Sequence, residues 1–142
     1  RHMVAFERFN QIDWPLIEGR IASLAAKYNR ARVRLDATGV GDPVYDRLNR
    51  AGLNVSPVKI TMPVKTHLVE SLIFAIEKRE ITFPHLPEIV HELSIFEAKK
   101  TPKGHVQYSA PAGYHDDVVM SMALAVSELV GGGAGLEFYG AE

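Results

Sequence analysis

Three aspartates stand at positions where carboxylates often bind metal ions. Asp36 ends residues 31–36, an apolar and basic segment that predicts a strand, and a glycine-containing turn follows it. Asp116 and Asp117 precede residues 118–130, an apolar segment that predicts a helix. Carboxylate oxygens are the ligands that Mg²⁺ and Mn²⁺ prefer. If these carboxylates converge, they could hold two ions for phosphodiester cleavage, one activating the attacking water and the other stabilising the leaving oxygen.

Each of these aspartates also has an ordinary structural explanation. Asp36 could accept hydrogen bonds from the amides of the turn that follows it, as aspartates commonly do. Asp116 or Asp117 could be the N-cap of the last helix, the commonest role of aspartate at a helix start. Taken singly, each aspartate is explained in this way. Capping cannot explain both adjacent aspartates, because only one of them can be the N-cap.

Several basic side chains could contact a phosphate backbone. Lys65 lies in the first turn of a predicted helix, and Lys99, Lys100 and Lys103 lie at the predicted tip of a hairpin. Lysines in such places could bind DNA phosphates, or they could simply be solvated. His115 could bind a metal ion, contact a phosphate or cap the last helix, and the sequence leaves these roles open.

The composition excludes several classes of protein. With 142 residues and a hydrophobic fraction of 46%, the chain has the length and core of one globular domain. Its 16 basic and 17 acidic residues argue against a highly basic, histone-like binder, although a basic rim around an acidic site is compatible with them. The lack of cysteine excludes disulfides and thiolate metal sites and suits a cytosolic protein. No apolar run approaches a membrane span, so we expect no membrane contact.

The spacing of apolar residues predicts strands that alternate with helices. Such alternation is typical of an α/β fold with parallel strands in a central sheet, in which ligands collect at the carboxyl ends of the strands. We expect a domain over residues 1–130 and a flexible, glycine-rich tail over 131–142. The predicted strands are residues 4–9, 31–36 and 54–60, and the predicted helices are 15–28, 42–50, 64–78 and 118–130. Residues 86–96 are predicted to form a helix or a helix-to-strand segment. Residues 95–98 and 106–109 are predicted to flank the tip of a hairpin.

Two runs of residues together resemble the motifs of one protein family. The run Leu35–Val44, with Asp36 followed by Thr-Gly-Val-Gly-Asp-Pro, resembles the second acidic motif of terminase large-subunit nucleases from bacteriophages and prophages. The run Tyr114–Met120, followed by Ala-Leu-Ala at 123–125, resembles their last motif. Between them, a helix led by Lys65 and a later helix followed by a hairpin match the layout of the family. The similarity covers residues 6–129.

The resemblance implies a fold and an activity. It implies a ribonuclease H-like central mixed sheet flanked by helices, and cleavage of concatemeric double-stranded DNA with Mg²⁺ or Mn²⁺ in a two-metal site. It implies that Asp36 is one metal ligand and that Asp117, with Asp116, supplies the other carboxylate ligand. The helical register does not show which of these two adjacent aspartates is the main ligand. The implied partners are double-stranded DNA, the ATPase domain of the same large subunit, the small terminase subunit and the portal. The implied location is the cytoplasm of the bacterial host.

One family feature has no counterpart in this sequence. The family pattern begins with a strand that carries the first catalytic aspartate, and Asp13 cannot replace it because Asp13 lies at a helix start. We therefore expect a sheet that lacks its first strand, weak activity, and self-association through unpaired edges. The alternatives are another ribonuclease H-like nuclease, of resolvase or transposase type, and a non-catalytic DNA-binding or docking remnant. The run Gly39–Pro43 argues against the first, and a metal titration would distinguish the second.

Overall fold

Helices and strands alternate along the chain. The computed structural model describes residues 1–39, 41–102 and 104–130, so the predicted tail at 131–142 and Lys103 lie outside the described residues. The α/β class is confirmed. The elements are α1 (Trp14–Lys27), β1 (Val33–Asp36), α2 (Gly41–Arg50), β2 (Val55–Val58), α3 (Met62–Glu77), α4 (Pro87–Ile95), β3 (Glu97–Lys100), β4 (Val106–Ser109) and α5 (Asp117–Val130).

Prolines and a glycine set several of the helix ends. Pro15 lies in the first turn of α1, and Pro87 begins α4. Proline suits this position because its missing N–H would have no partner within the helix. Beyond the end of α2, Gly52 adopts a φ of +80° and donates its N–H to the carbonyl of Asn49. A positive φ favours glycine, so this residue explains why the chain turns there.

The chain forms two compact units, one of which comprises residues 5–61. In this unit β1 and β2 pair in parallel, with Val33 opposite Val55 and Asp36 opposite Val58. Helix α2 packs against both strands and buries Val44 and Leu48. The strand pair therefore rests on an apolar helix face, and Asp36 stands at its carboxyl end.

Among the described residues, the other unit comprises residues 1–4 and those from Met62 to Val130. Helix α5 packs along α3, α4 packs against α5, and β4 of the antiparallel β3–β4 hairpin packs against α3. The core consists of fully buried aliphatic side chains from all three helices, among them Leu68, Leu72, Ile89 and Val119. The start of α5 is thus fixed by apolar packing on two other helices.

The prediction of a strand at residues 4–9 is wrong. These residues have no regular secondary structure, and Val4 is exposed. Extended pairing occurs just before them, where His2 forms a parallel bridge with Thr82 and Met3 donates its N–H to the carbonyl of Thr82. A strand requires a partner that aligns with its backbone groups, and the alternation of residue types cannot show where that partner ends.

None of the helices that the structure describes is both long enough and apolar enough to cross a membrane.

Candidate active site

Asp36 is the last residue of β1, and its side chain is exposed. Its Oδ1 accepts a hydrogen bond of 2.8 Å from the N–H of Thr38. The hydroxyl oxygen of Thr38 in turn accepts the N–H of Ile60 at 2.8 Å, which ties the turn to the segment after β2. The turn-stabilising role considered from the sequence is therefore present. This hydrogen bond leaves room for a metal ion, because a carboxylate has two oxygens and about four lone-pair sites.

Asp116 occupies the N-cap position of α5. Its carbonyl oxygen accepts the N–H of Met120 at 2.9 Å, as the carbonyl of a capping residue does. Its carboxylate points elsewhere, because Oδ2 lies 2.6 Å from the Nζ of Lys65 on α3. The side chain of Lys65 is only 22% exposed, and that of Asp116 is 27% exposed. The structure thus brings together two of the residues singled out in the sequence.

Asp117 is the first residue of α5, and its side chain is exposed. A carboxylate in the first helical turn is favoured by the partial positive charge of the helix N-terminus. His115 immediately precedes the pair and is exposed as well. Adjacent carboxylates at a helix start, with a histidine beside them, offer oxygen and nitrogen ligands to a divalent cation. The individual roles of these residues stay predictions.

Glu92 is a residue of this region whose role the sequence reasoning missed. It lies on α4, is only 4% exposed, and its Oε2 accepts the N–H of Val118 at 2.8 Å. Val118 is the second residue of α5, so Glu92 caps that helix from a neighbouring one. A signal was available: Glu92 follows Ile89 by three residues and therefore lies on the apolar face of α4, where a charge is unusual.

The hairpin lysines are only partly described. Lys99 on β3 is exposed and forms an ion pair of 2.7 Å with Oε2 of Glu97 on the same strand. Lys100 is exposed, and Lys103 lies outside the described residues. An exposed ion pair contributes little, about 0.2–1 kcal/mol, and would not prevent Lys99 from turning to a phosphate. Contact between these lysines and DNA stays a prediction.

The carboxylates offer the oxygen ligands that a divalent metal requires. Within each unit, the residues that the structure describes include no group of three or more His, Asp or Glu side chains that could hold a metal ion. Asp36 belongs to the unit of residues 5–61, and Asp116 and Asp117 belong to the other. The fit of the residues to Mg²⁺ therefore rests on their oxygen ligands and their placement at a strand end and a helix start.

Comparison with known proteins gives a consistent result. The chain is 34% identical over 130 residues to the large terminase subunit of Thermus virus P23-45. The aligned region covers 91% of this chain and 27% of that protein. Two solved structures of the large terminase nuclease from thermophilic phage G20c, one with bound magnesium and one with bound cobalt, each match with a TM-score of 0.78 and 34% identity, covering 86% of this chain and 65% of the other. Residues 1–129 match the family described as the terminase RNaseH-like domain. Since that match spans nearly all of the sequence, this chain belongs to the terminase RNaseH-like domain family.

Proposed function

We propose that this chain is the nuclease domain of a large terminase subunit, a divalent-metal-dependent endonuclease that cleaves concatemeric double-stranded DNA by two-metal hydrolysis. The observation that carries the proposal is the position of its carboxylates in a chain of this family. Asp36 ends a parallel strand, and Asp116 and Asp117 stand at the start of α5, which packs on two other helices. The similarity to a nuclease solved with magnesium and with cobalt supports a divalent cation as the cofactor.

In this proposal Asp36, Asp116 and Asp117 bind Mg²⁺ or Mn²⁺. When bound, the divalent ions supply the positive charge that activates water and stabilises the leaving oxygen in phosphodiester hydrolysis. The chain itself supplies rigidity, because the N–H of Thr38 holds one oxygen of Asp36 at the end of β1. A carboxylate held in this way has little rotational freedom to lose when it binds a cation.

Lys65 has a distinct part in this arrangement. Its ammonium group neutralises Asp116 at 2.6 Å and so reduces repulsion between that carboxylate and its neighbour Asp117. Asp117, which is exposed at the first position of α5, is then the better placed of the two to bind a cation directly. When DNA is bound, Lys65 is also suited to contact a phosphate, and His115 is a second candidate for that contact.

The partners follow from the same proposal. The chain spans 27% of the length of its relative from Thermus virus P23-45. We propose double-stranded DNA as the substrate, with Lys99, Lys100 and Lys103 as weak contacts. We also propose the ATPase domain of the same subunit, the small terminase subunit and the portal as partners, in the cytoplasm of the bacterial host.

Plasmid cleavage tests the function directly. The full-length protein should nick or cut plasmid DNA with Mn²⁺ or Mg²⁺, and EDTA should stop the reaction. Asp36→Asn should abolish cleavage and leave the fold intact, because the amide oxygen of asparagine can still accept the N–H of Thr38. The matched control is Asp46→Asn, since Asp46 is an exposed aspartate of α2 in the same unit.

Two outcomes would change the proposal. Cleavage by Asp36→Asn at the wild-type rate would remove that residue from the mechanism. If the wild-type protein binds DNA but does not cut it with either metal, its function would be DNA binding and not cleavage.

A further inference from the structure

Glu92 places a buried acidic side chain at the start of the helix that carries the aspartate pair. Its side chain is 4% exposed, and its Oε2 accepts the N–H of Val118 at 2.8 Å. A buried carboxylate loses its hydration and is tolerated only where hydrogen bonds compensate. A glutamine or an apolar residue would fill the same position on α4 without that loss, so the charge calls for an explanation.

The bond to Val118 takes over a role that Asp116 would ordinarily perform. An aspartate at the N-cap usually accepts one of the first free N–H groups of its own helix with its side chain. Here the carboxylate of Asp116 is bound to Lys65 instead, while Glu92 reaches across from α4 to accept the N–H of Val118. The N-terminal end of α5 is therefore capped by a different helix, and the carboxylate of Asp116 pairs with Lys65 instead of capping its own helix.

The charge of Glu92 also affects a cation placed at this helix start. The N-terminus of a helix carries a partial positive charge equivalent to about half an elementary charge, which disfavours a cation beside it. The amide of Val118 is part of that positive end, and Glu92 lies directly against it. A buried negative charge acts through a poorly screening medium, so it offsets this repulsion more than an exposed one would.

We propose that Glu92 is a positioning residue for metal binding. By capping α5 from α4, it leaves the carboxylate of Asp116 free of that role and offsets the positive potential at the helix start. The proposal rests on the proposed function, since it assumes that Asp116 and Asp117 bind a divalent cation. Residues that hold metal ligands in place typically change metal affinity or activity about 10- to 100-fold when they are replaced.

Two substitutions separate the cap from the charge. Glu92→Gln keeps an oxygen that can accept the N–H of Val118 but removes the charge, whereas Glu92→Leu removes both. Glu88→Gln is the matched control, because Glu88 is an exposed glutamate on the same helix. In the full-length protein we would measure the Mn²⁺ concentration for half-maximal plasmid cleavage and the Mn²⁺ dissociation constant without DNA, by titration calorimetry.

We expect both Mn²⁺ values to rise about tenfold in Glu92→Gln and closer to a hundredfold in Glu92→Leu, with the control unchanged. Saturating Mn²⁺ should restore most of the cleavage rate in both variants, which damage to the fold alone would not allow. Hydrogen exchange at the amide of Val118, which is read without metal or DNA, should accelerate in Glu92→Leu and stay slow in Glu92→Gln.

The outcomes that overturn the proposal are distinct from those that overturn the function. Wild-type values of both Mn²⁺ constants in Glu92→Gln overturn the part given to the charge of Glu92, even where Glu92→Leu fails to fold. Wild-type values in a folded Glu92→Leu overturn the part given to the cap as well, and neither result touches the proposed function. A wild-type protein that neither binds Mn²⁺ nor cuts DNA overturns the proposed function together with this inference.

Discussion

The ion pair between Lys65 and Asp116 makes a quantitative prediction that involves no catalysis. Lys65→Met keeps most of the side-chain length and removes the charge, and Asp116→Asn removes the partner charge. The free energy of unfolding of the two single variants and the double variant gives the coupling between the two groups. The Nζ–Oδ2 distance of 2.6 Å corresponds to a hydrogen-bonded ion pair.

The burial of the pair sets the magnitude. Fully exposed pairs contribute about 0.2–1 kcal/mol, whereas hydrogen bonds to charged groups contribute about 1.5–3 kcal/mol. Exposures of 22% and 27% put this pair between those cases, and we expect a coupling of about 1–2 kcal/mol. The loss in Lys65→Met alone should be smaller, because the carboxylate of Asp116 at the N-cap position can then turn to the helix N-terminus, an interaction of about 0.3–1 kcal/mol.

The assay is urea unfolding of the chain, with the slope of the transition checked for each variant, because an altered slope would indicate a changed unfolded state rather than a lost contact. Lys78→Met is the control, since Lys78 is exposed and follows α3 about 20 Å along the helix from Lys65, and its combination with Asp116→Asn should be additive. The coupling of Lys65 should persist in about 1 M salt, where the screening length of about 3 Å still exceeds the separation of the pair.

A coupling within about 0.5 kcal/mol of zero, the additivity error for independent sites, would refute the reasoning. Asp116 would then not be held by Lys65 in solution, and the neutralising role given to that lysine would fail with it.

Further predictions concern the backbone, the core and the strand edges. Gly52→Ala should destabilise the chain by about 1–2 kcal/mol, because φ is +80° there although a Cβ would meet no atom within 4 Å. Gly19→Ala, in the exposed middle of α1, should stabilise it by about 0.5–1 kcal/mol, and thermal melting distinguishes the two signs. Leu72→Ala, at 2% exposure, should cost about 2–5 kcal/mol, and Ile73→Ala, at 38%, should cost clearly less; equal losses would contradict the packing of α3. Since β1 and β2 form a two-stranded sheet in the described residues, we expect dimers or larger species in sedimentation of the chain, and a monomer at every concentration would show that the edges are protected.

The sequence predicted most elements because each is encoded by local spacing. The helix expected at residues 64–78 is α3 at Met62–Glu77, and the strand expected at 31–36 is β1 at Val33–Asp36. Apolar periodicity, prolines and glycines act within a few residues of one another, so a single sequence suffices to locate such elements. The failure at residues 4–9 has the opposite cause, because the extended pairing of this end of the chain occurs at His2 and Met3 and depends on Thr82, far along the chain.

The start of α5 shows why a candidate site is harder to predict than the elements that carry it. Three carboxylates, those of Asp116, Asp117 and Glu92, could each accept an N–H group at this helix start, and local rules favour Asp116 because it stands at the N-cap. Packing decides otherwise. Helix α4 brings Glu92 to Val118, and α3 brings Lys65 to Asp116, so the capping bond and the ion pair go to different carboxylates. The choice depends on which helices pack against α5, and the sequence around the aspartates does not contain that information. A charged residue on an apolar helix face is the signal from which a sequence could suggest it, as with Lys65 three residues before Leu68 and Glu92 three residues after Ile89.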